Sequence, residues 1–125
     1  MTKSKKSEHI VRRGDVYFAD LGNGVGSEQG GIRPVLVVQN DLGNRHSPTI
    51  IVAPMTSRQN KTELPTHCPV VISKRPSLVL LEQLRVIDKS RLLGTRVCKM
   101  EDMSMIDKAI GISVGLSKIE KPVCS

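Results

Sequence analysis

Two stretches of the chain, residues 34–40 (PVLVVQN) and 49–56 (TIIVAPMT), are almost unbroken apolar runs enriched in β-branched side chains. That pattern predicts two buried strands. Pro54 lies inside the second and has no N–H to give to a ladder, so it predicts an edge or bulge that re-aims Met55 and Thr56. Shorter strands are expected over 16–20, following a Gly14–Asp15 turn, then near 66–72 and near 95–99. A turn at 74–76 precedes residues 78–84, which run from apolar (Leu78, Val79, Leu80, Leu81) to polar (Glu82, Gln83). Residues 41–48 (DLGNRHSP) are full of turn formers and predict an exposed loop, as does the polar stretch 57–65. Near the end the period changes. Met103, Ile106, Ala109, Ile110, Ile112 and Val114 sit near helical spacing, with Glu101 and Asp102 suited to the positive end of a helix dipole and Gly115 to its stop. With no internal repeat, the expected fold is α+β and mostly β, a twisted or barrel-like sheet with one late helix.

Ahead of the first apolar run lies a segment of a different kind. Residues 21–32 hold Gly22, Gly24, Gly26, Gly30 and Gly31, half of the 10 glycines in the protein. Such a loop can lie close against a ligand backbone. It also carries Ser27, Glu28 and Gln29, and it leads into Arg33. Pro34 pushes that arginine toward extended geometry, so its side chain starts from a restrained backbone at a strand mouth. A guanidinium fork held there is suited to a phosphate.

Composition narrows the class. A length of 125 residues and 38% hydrophobic content fit one domain with a modest core. The expected division is a disordered basic tail over 1–10, a single domain over 11–118 and a short tail over 119–125. The only aromatics are Tyr17 and Phe18, so the core must be aliphatic. No run approaches the length of a membrane helix. The lysine-rich start lacks the apolar stretch of a signal peptide. Cys68, Cys98 and Cys124 are odd in number and show no CxxC spacing, which reads as reduced thiols in a cytoplasmic protein. The net charge of +7 is not all in the tail, because residues 33–99 carry eleven Lys/Arg against four Asp/Glu. A basic body suits a polyanion or an acidic protein partner, and equally a well-solvated surface.

Familiar catalytic constellations are missing. His9, His46 and His67 are too scattered for a metal-ligand spacing, and there is no HExxH, P-loop or GxSxG. No metal or cofactor is expected. What remains is a site built from Arg33, Thr56 and the polar groups of the glycine loop. Taken singly, Arg33 also reads as a salt-bridge partner, Thr56 as an ordinary strand end and Glu28 as a solvated charge.

The blocks RRGDVYFADL, GSEQGGIRPVLVVQND, NRHSPTIIVAPMTS and LLEQLRVIDKSRL together resemble the MazF/PemK family of toxin endoribonucleases, in register over about 13–116 and closest in character to its Gram-positive branch. The resemblance implies a compact SH3-like antiparallel β-barrel with a C-terminal helix, assembled as a homodimer. It implies metal-independent, sequence-specific cleavage of single-stranded RNA. The 2′-hydroxyl attacks, leaving a 2′,3′-cyclic phosphate and a 5′-hydroxyl. The family's arginine and threonine at the scissile phosphate match Arg33 and Thr56, and its substrate-contacting loop matches Ser27, Glu28 and Gln29. An acidic antitoxin is the implied partner.

Physical chemistry sorts these roles. Arginine resists deprotonation, so Arg33 suits charge stabilisation better than base catalysis, and Glu28 is the loop's only carboxylate. Asn40, Asn44 and Gln83 are candidates for reading base edges, although amides in turns are commonly structural. With so few aromatics, base selection must rest on hydrogen bonds and shape. His46 stands where relatives often carry an aromatic ring, and Lys99 and Met100 precede the helix where Ser or Asp would cap better. The same fold family includes non-enzymatic gyrase poisons, an alternative that would not need the Arg33–Thr56 pair.

Overall fold

The computed structural model describes residues 10–58 and 64–116. Of the expected tails only Ile10 falls within that range; the rest of both, Cys124 included, lies outside it, as do residues 117–118 of the expected domain and 59–63 of the 57–65 loop. Seven strands, all paired antiparallel, make one curled sheet: β1 (Asp15–Asp20), β2 (Ile32–Val37), β3 (Thr49–Thr56), β4 (His67–Ile72), β5 (Arg75–Leu80), β6 (Arg85–Asp88) and β7 (Leu92–Lys99). The order is β4-β5-β3-β2-β1-β7, with β6 also on β3. Two helices complete it, α1 (Asp41–His46) and α2 (Ser104–Ser113).

The apolar runs of β2 and β3 are unbroken because both faces of these central strands are covered. Leu36, Ala53 and Met55 join one cluster, with Val79, Leu81 and the α2 residues Ile106 and Ala109. Val35, Val37, Ile50 and Val52 join a second, with Tyr17, Leu21, Ile87 and Leu92. Pro54 stands where β3 changes neighbour. Residues up to Val52 pair with β6, and Met55 and Thr56 pair with β5. A residue without an N–H belongs at such a handover.

Four expectations need correction. The loop expected at 41–48 contains the six-residue helix α1. Asn40 caps it by accepting the Gly43 N–H at 2.7 Å, and Asp41 and Arg45 stand at the dipole ends that suit their charges. The turn near 74–76 is a hairpin one residue earlier, with Ser73 and Lys74 both at positive φ between the paired Ile72 and Arg75. Strand β6 was not anticipated, and a 3-10 turn (Leu81–Gln83) separates it from β5. Strand β7 begins at Leu92 rather than 95, because Gly94 (φ +68°) sits in the bulge where pairing with β1 shifts register. Helix α2 begins at Ser104, where Asp102 accepts from both the Ser104 N–H and hydroxyl, and those bonds hold its carboxyl below the usual range. Gly115 (φ +81°) ends it as expected.

Candidate active site

Arg33 and Thr56 lie 23 positions apart in the chain, and the sheet brings them together. Val35 pairs with Pro54 at the last rung of the β2–β3 ladder, and Arg33 and Thr56 lie two residues beyond that rung on their respective strands. Both side chains line one cleft of about 400 Å³, with Phe18, Ile32, Ser57 and Arg75 among its walls. The Arg33 Nε donates to the Gly30 carbonyl at 2.8 Å. Its two outer nitrogens have no hydrogen-bond or ion-pair partner among the described residues. Thr56 is only 4% exposed, a wall of the cleft rather than a side chain standing in it. Its Oγ1 accepts the Arg58 N–H at 3.2 Å, so its own proton is left to donate elsewhere.

Arg33 also lines an adjoining depression of about 350 Å³ with Gly26, Ser27, Glu28, Gln29 and Arg58. Glu28 and Gln29 are shared in turn with a third of about 410 Å³, which Glu82, Gln83 and Arg85 complete. The three depressions adjoin through these shared walls along one stretch of surface. Four arginines (33, 58, 75 and 85) face it against two glutamates, and none of the four is ion-paired among the described residues. Uncompensated guanidinium groups along a groove make a site for an extended polyanion.

The glycine loop is fastened rather than loose. Leu21 donates to Gly31 at 2.9 Å and Gly31 to Gly22 at 2.7 Å, which carries the β1–β2 ladder into the loop. Glu28 closes a turn, its N–H on the Val25 carbonyl at 3.0 Å and its Oε1 accepting the Val25 N–H at 3.1 Å. The Gln83 amide accepts the Gln29 N–H at 2.9 Å and donates to the Ser27 carbonyl at 3.3 Å.

Of the residues singled out from the sequence, Arg33, Thr56, Ser27, Glu28, Gln29 and Gln83 therefore share this stretch of surface. Asn40 and Asn44 do not. Asn40 is the cap of α1. Asn44 is 2% exposed, its amide spent on Gln39 and Asp41, so it has no edge left to offer a base. Sequence reasoning did not single out Arg58, which follows β3, Arg75 of β5 or Arg85 of β6, although Arg85 lies within the block LLEQLRVIDKSRL. Among the described residues no three of His, Cys, Asp and Glu come together in a way that would hold a metal ion, and no helix is long and apolar enough to cross a membrane. His67 is bound through Nε2 to Glu82 at 2.9 Å, with Nδ1 buried and unpartnered.

A seven-stranded antiparallel sheet with a terminal helix and an arginine-lined groove defines a small α+β protein built to hold an extended anion. Residues 12–114 match the profile of the PemK-like, MazF-like toxins of type II toxin–antitoxin systems. The chain belongs to this family, and it is an endoribonuclease toxin. It is 53% identical over 113 residues to Endoribonuclease EndoA of Bacillus subtilis, covering 86% of this chain and 97% of that protein. It is 50% identical over 116 residues to Endoribonuclease MazF of Staphylococcus saprophyticus, covering 88% and 96%. Among solved structures it is similar to a mycobacterial endoribonuclease in complex with its cognate antitoxin (TM-score 0.72, 25% identity, 87% of this chain and 99% of that one). The fold also matches MazF from Deinococcus radiodurans (TM-score 0.70, 22% identity, 86% and 99%).

Proposed function

We propose that the groove cleaves single-stranded RNA by in-line attack of a 2′-oxygen on the adjacent phosphate, without a metal. The 2′-hydroxyl gives up its proton to solvent as O2′ bonds to phosphorus, the bond from phosphorus to O5′ breaks, and O5′ takes a proton from solvent, giving a 2′,3′-cyclic phosphate and a 5′-hydroxyl. Negative charge grows on the non-bridging oxygens during attack. The outer nitrogens of Arg33 meet that charge, and the Thr56 hydroxyl positions the phosphate. Glu28, on the loop beside Arg33, assists electrostatically. Ser27 and Gln29 line the RNA path, while Arg58, Arg75 and Arg85 hold the flanking phosphates. The observation that carries this reading is that Arg33, its outer nitrogens unpartnered among the described residues, lines one cleft with Thr56.

The neutralising partner is an acidic antitoxin whose chain occupies the same groove, since the unpaired arginines that suit RNA also suit carboxylates. The toxin works as a homodimer in the cytoplasm. The test is incubation of the purified protein with bacterial RNA in excess EDTA, with a DNA copy of a cleaved site as control. Cleavage of RNA alone, with cyclic-phosphate ends, is the expected result. Activity lost to EDTA and restored by magnesium would sink the chemistry. An intact RNA pool in both conditions would favour a non-enzymatic binder of the same fold.

A further inference from the structure

We infer that Gln83 is a positioning residue: it latches the glycine loop so that the loop in turn orients the Arg33 guanidinium. The inference rests on the reading of Arg33 given above, but its core is a statement about the loop alone. Gln83 lies 54 positions beyond Gln29, yet its side-chain amide closes on the loop backbone at two points. Oε1 accepts the Gln29 N–H at 2.9 Å, and Nε2 donates to the Ser27 carbonyl at 3.3 Å. The amide thereby plays the part of a neighbouring strand. The next residue, Gly30, gives its carbonyl to Arg33 Nε at 2.8 Å. A single peptide unit therefore separates the latch from the group that aims the guanidinium.

The peg is mounted on a rigid base. Gln83 ends the 3-10 turn Leu81–Gln83, whose Leu81 side chain is fully buried. The Leu81 N–H is bound to the Thr66 carbonyl at 2.9 Å, and its carbonyl accepts the Ser113 hydroxyl of α2 at 3.0 Å. Glu82 adds bonds to the Thr66 hydroxyl at 3.0 Å and His67 Nε2 at 2.9 Å. The turn is thus tied to β4, to α2 and to the core. The loop, by contrast, is held by a few bonds of its own, Gly31 to Gly22 and the Glu28–Val25 turn, and its residues 24–28 are all exposed. Its backbone is also closely packed on itself. A Cβ on Gly30 would lie 2.5 Å from the Gly24 nitrogen, and one on Gly24 would lie 2.3 Å from the Glu28 oxygen. Glycines allow that fold, and they also allow others once the latch is gone.

The test uses Gln83→Ala and Gln83→Glu in the full chain. Glutamate keeps the acceptor for the Gln29 N–H and loses the donor for the Ser27 carbonyl. Hydrogen exchange without RNA is the first readout. Amides at 24–31 should exchange about 10–30-fold faster in Gln83→Ala, the size expected for two neutral hydrogen bonds. Gln83→Glu should fall between, with the Gln29 amide still protected. With RNA, kcat should drop about tenfold in Gln83→Ala. The Kd for an oligonucleotide carrying a 2′-deoxy at the scissile position should move less than about threefold, and the cut sequence should not change. Gln83→Glu should recover part of kcat. Unchanged loop exchange in Gln83→Ala would overturn the inference, as would a raised Kd or an altered cut sequence at unchanged kcat, which are the marks of a base-reading residue. Should the wild-type protein cleave nothing, the proposed chemistry fails while the exchange data still decide the latch. If Gln83→Ala does not fold, Gln83→Glu carries the exchange arm alone.

Discussion

Replacing Arg33 with lysine keeps the charge and removes the geometry. The arginine spends Nε on the Gly30 carbonyl, and its two outer nitrogens have no partner among the described residues. A lysine has one ammonium and a single point of approach, so two phosphate oxygens are no longer addressed together. One preorganised donor at an oxyanion is worth about 3 kcal/mol, or roughly 10²–10³ in rate. Loss of the Gly30 tether lets the side chain wander, which adds to the same deficit. Stability should fall by no more than that single bond contributes. Arg33 is half-buried and in no ion pair among the described residues, and the one hydrogen bond lost is worth about 1–1.5 kcal/mol. Single-turnover cleavage of a short RNA, beside binding of its 2′-deoxy analogue, separates the effects. The rate should fall 10² or more while the Kd changes several-fold at most. Cleavage within about threefold of wild type would refute the argument, as would a Kd that rises in step with the loss of rate.

Thr56→Ser should retain most activity, whereas Thr56→Ala should lose about 10² in kcat and also about 1 kcal/mol of stability. That stability loss follows because the buried Oγ1 caps the Arg58 N–H; an alanine variant as stable and as fast as wild type would remove Thr56 from the site. Cys68 is 4% exposed and burial pushes its thiol pKa up, so a maleimide or alkylating probe near pH 8 should label it only after denaturant is added; rapid native labelling, mapped by mass spectrometry, would contradict the packing. The Arg13 N–H and the Asn44 amide hold the Asp41 carboxyl below its ordinary range, so its contribution to stability is present above about pH 4 and lost as pH falls through the depressed folded value. Asp41→Asn should therefore lower the unfolding free energy slightly at pH 7, by about a few tenths of a kcal/mol for so exposed a group, and the gap should close toward pH 3; a gap that widens in acid would reverse the sign of this reasoning.

Much of the sheet was legible because its central strands announce themselves. An apolar, β-branched run bounded by turn formers has few other readings, and β2 and β3 are such runs. What failed were places where one residue overrules a neighbourhood. Asn40 turned a stretch of turn formers into α1 by supplying a cap, which composition over eight residues conceals. The strand expected near 95–99 starts earlier, because Gly94 lies in a bulge within β7. Strand β6 is four residues long with charges at both ends, and only Ile87 among them is buried. Its existence depends on β3 having an open flank, which is a property of the sheet and not of residues 85–88.

The site divides along the same line. Arg33 and the glycine loop stand together in sequence, so their association could be read directly, and Thr56 followed from resemblance. The physical reason for the pairing, their places just beyond the last rung between antiparallel neighbours, needed the sheet. Asn44 was misjudged because a polar residue among turn formers looks exposed, whereas α1 turns it inward onto Gln39 and Asp41. Gln83 shows the opposite limit. Its partners are the N–H of Gln29 and the carbonyl of Ser27, groups every residue possesses, so no side-chain pattern could have marked them. The three further arginines pose the same problem electrostatically. Residues 33–99 were visibly basic, but a sum of charges does not distinguish cations paired on the surface from cations left unpaired. The groove is such a place because Arg33 comes from β2, Arg58 from the segment after β3, Arg75 from β5 and Arg85 from β6, all facing one path without a carboxylate partner among the described residues. Among the described residues, then, no carboxylate neutralises these guanidinium groups, and a surface of that kind attracts anionic partners.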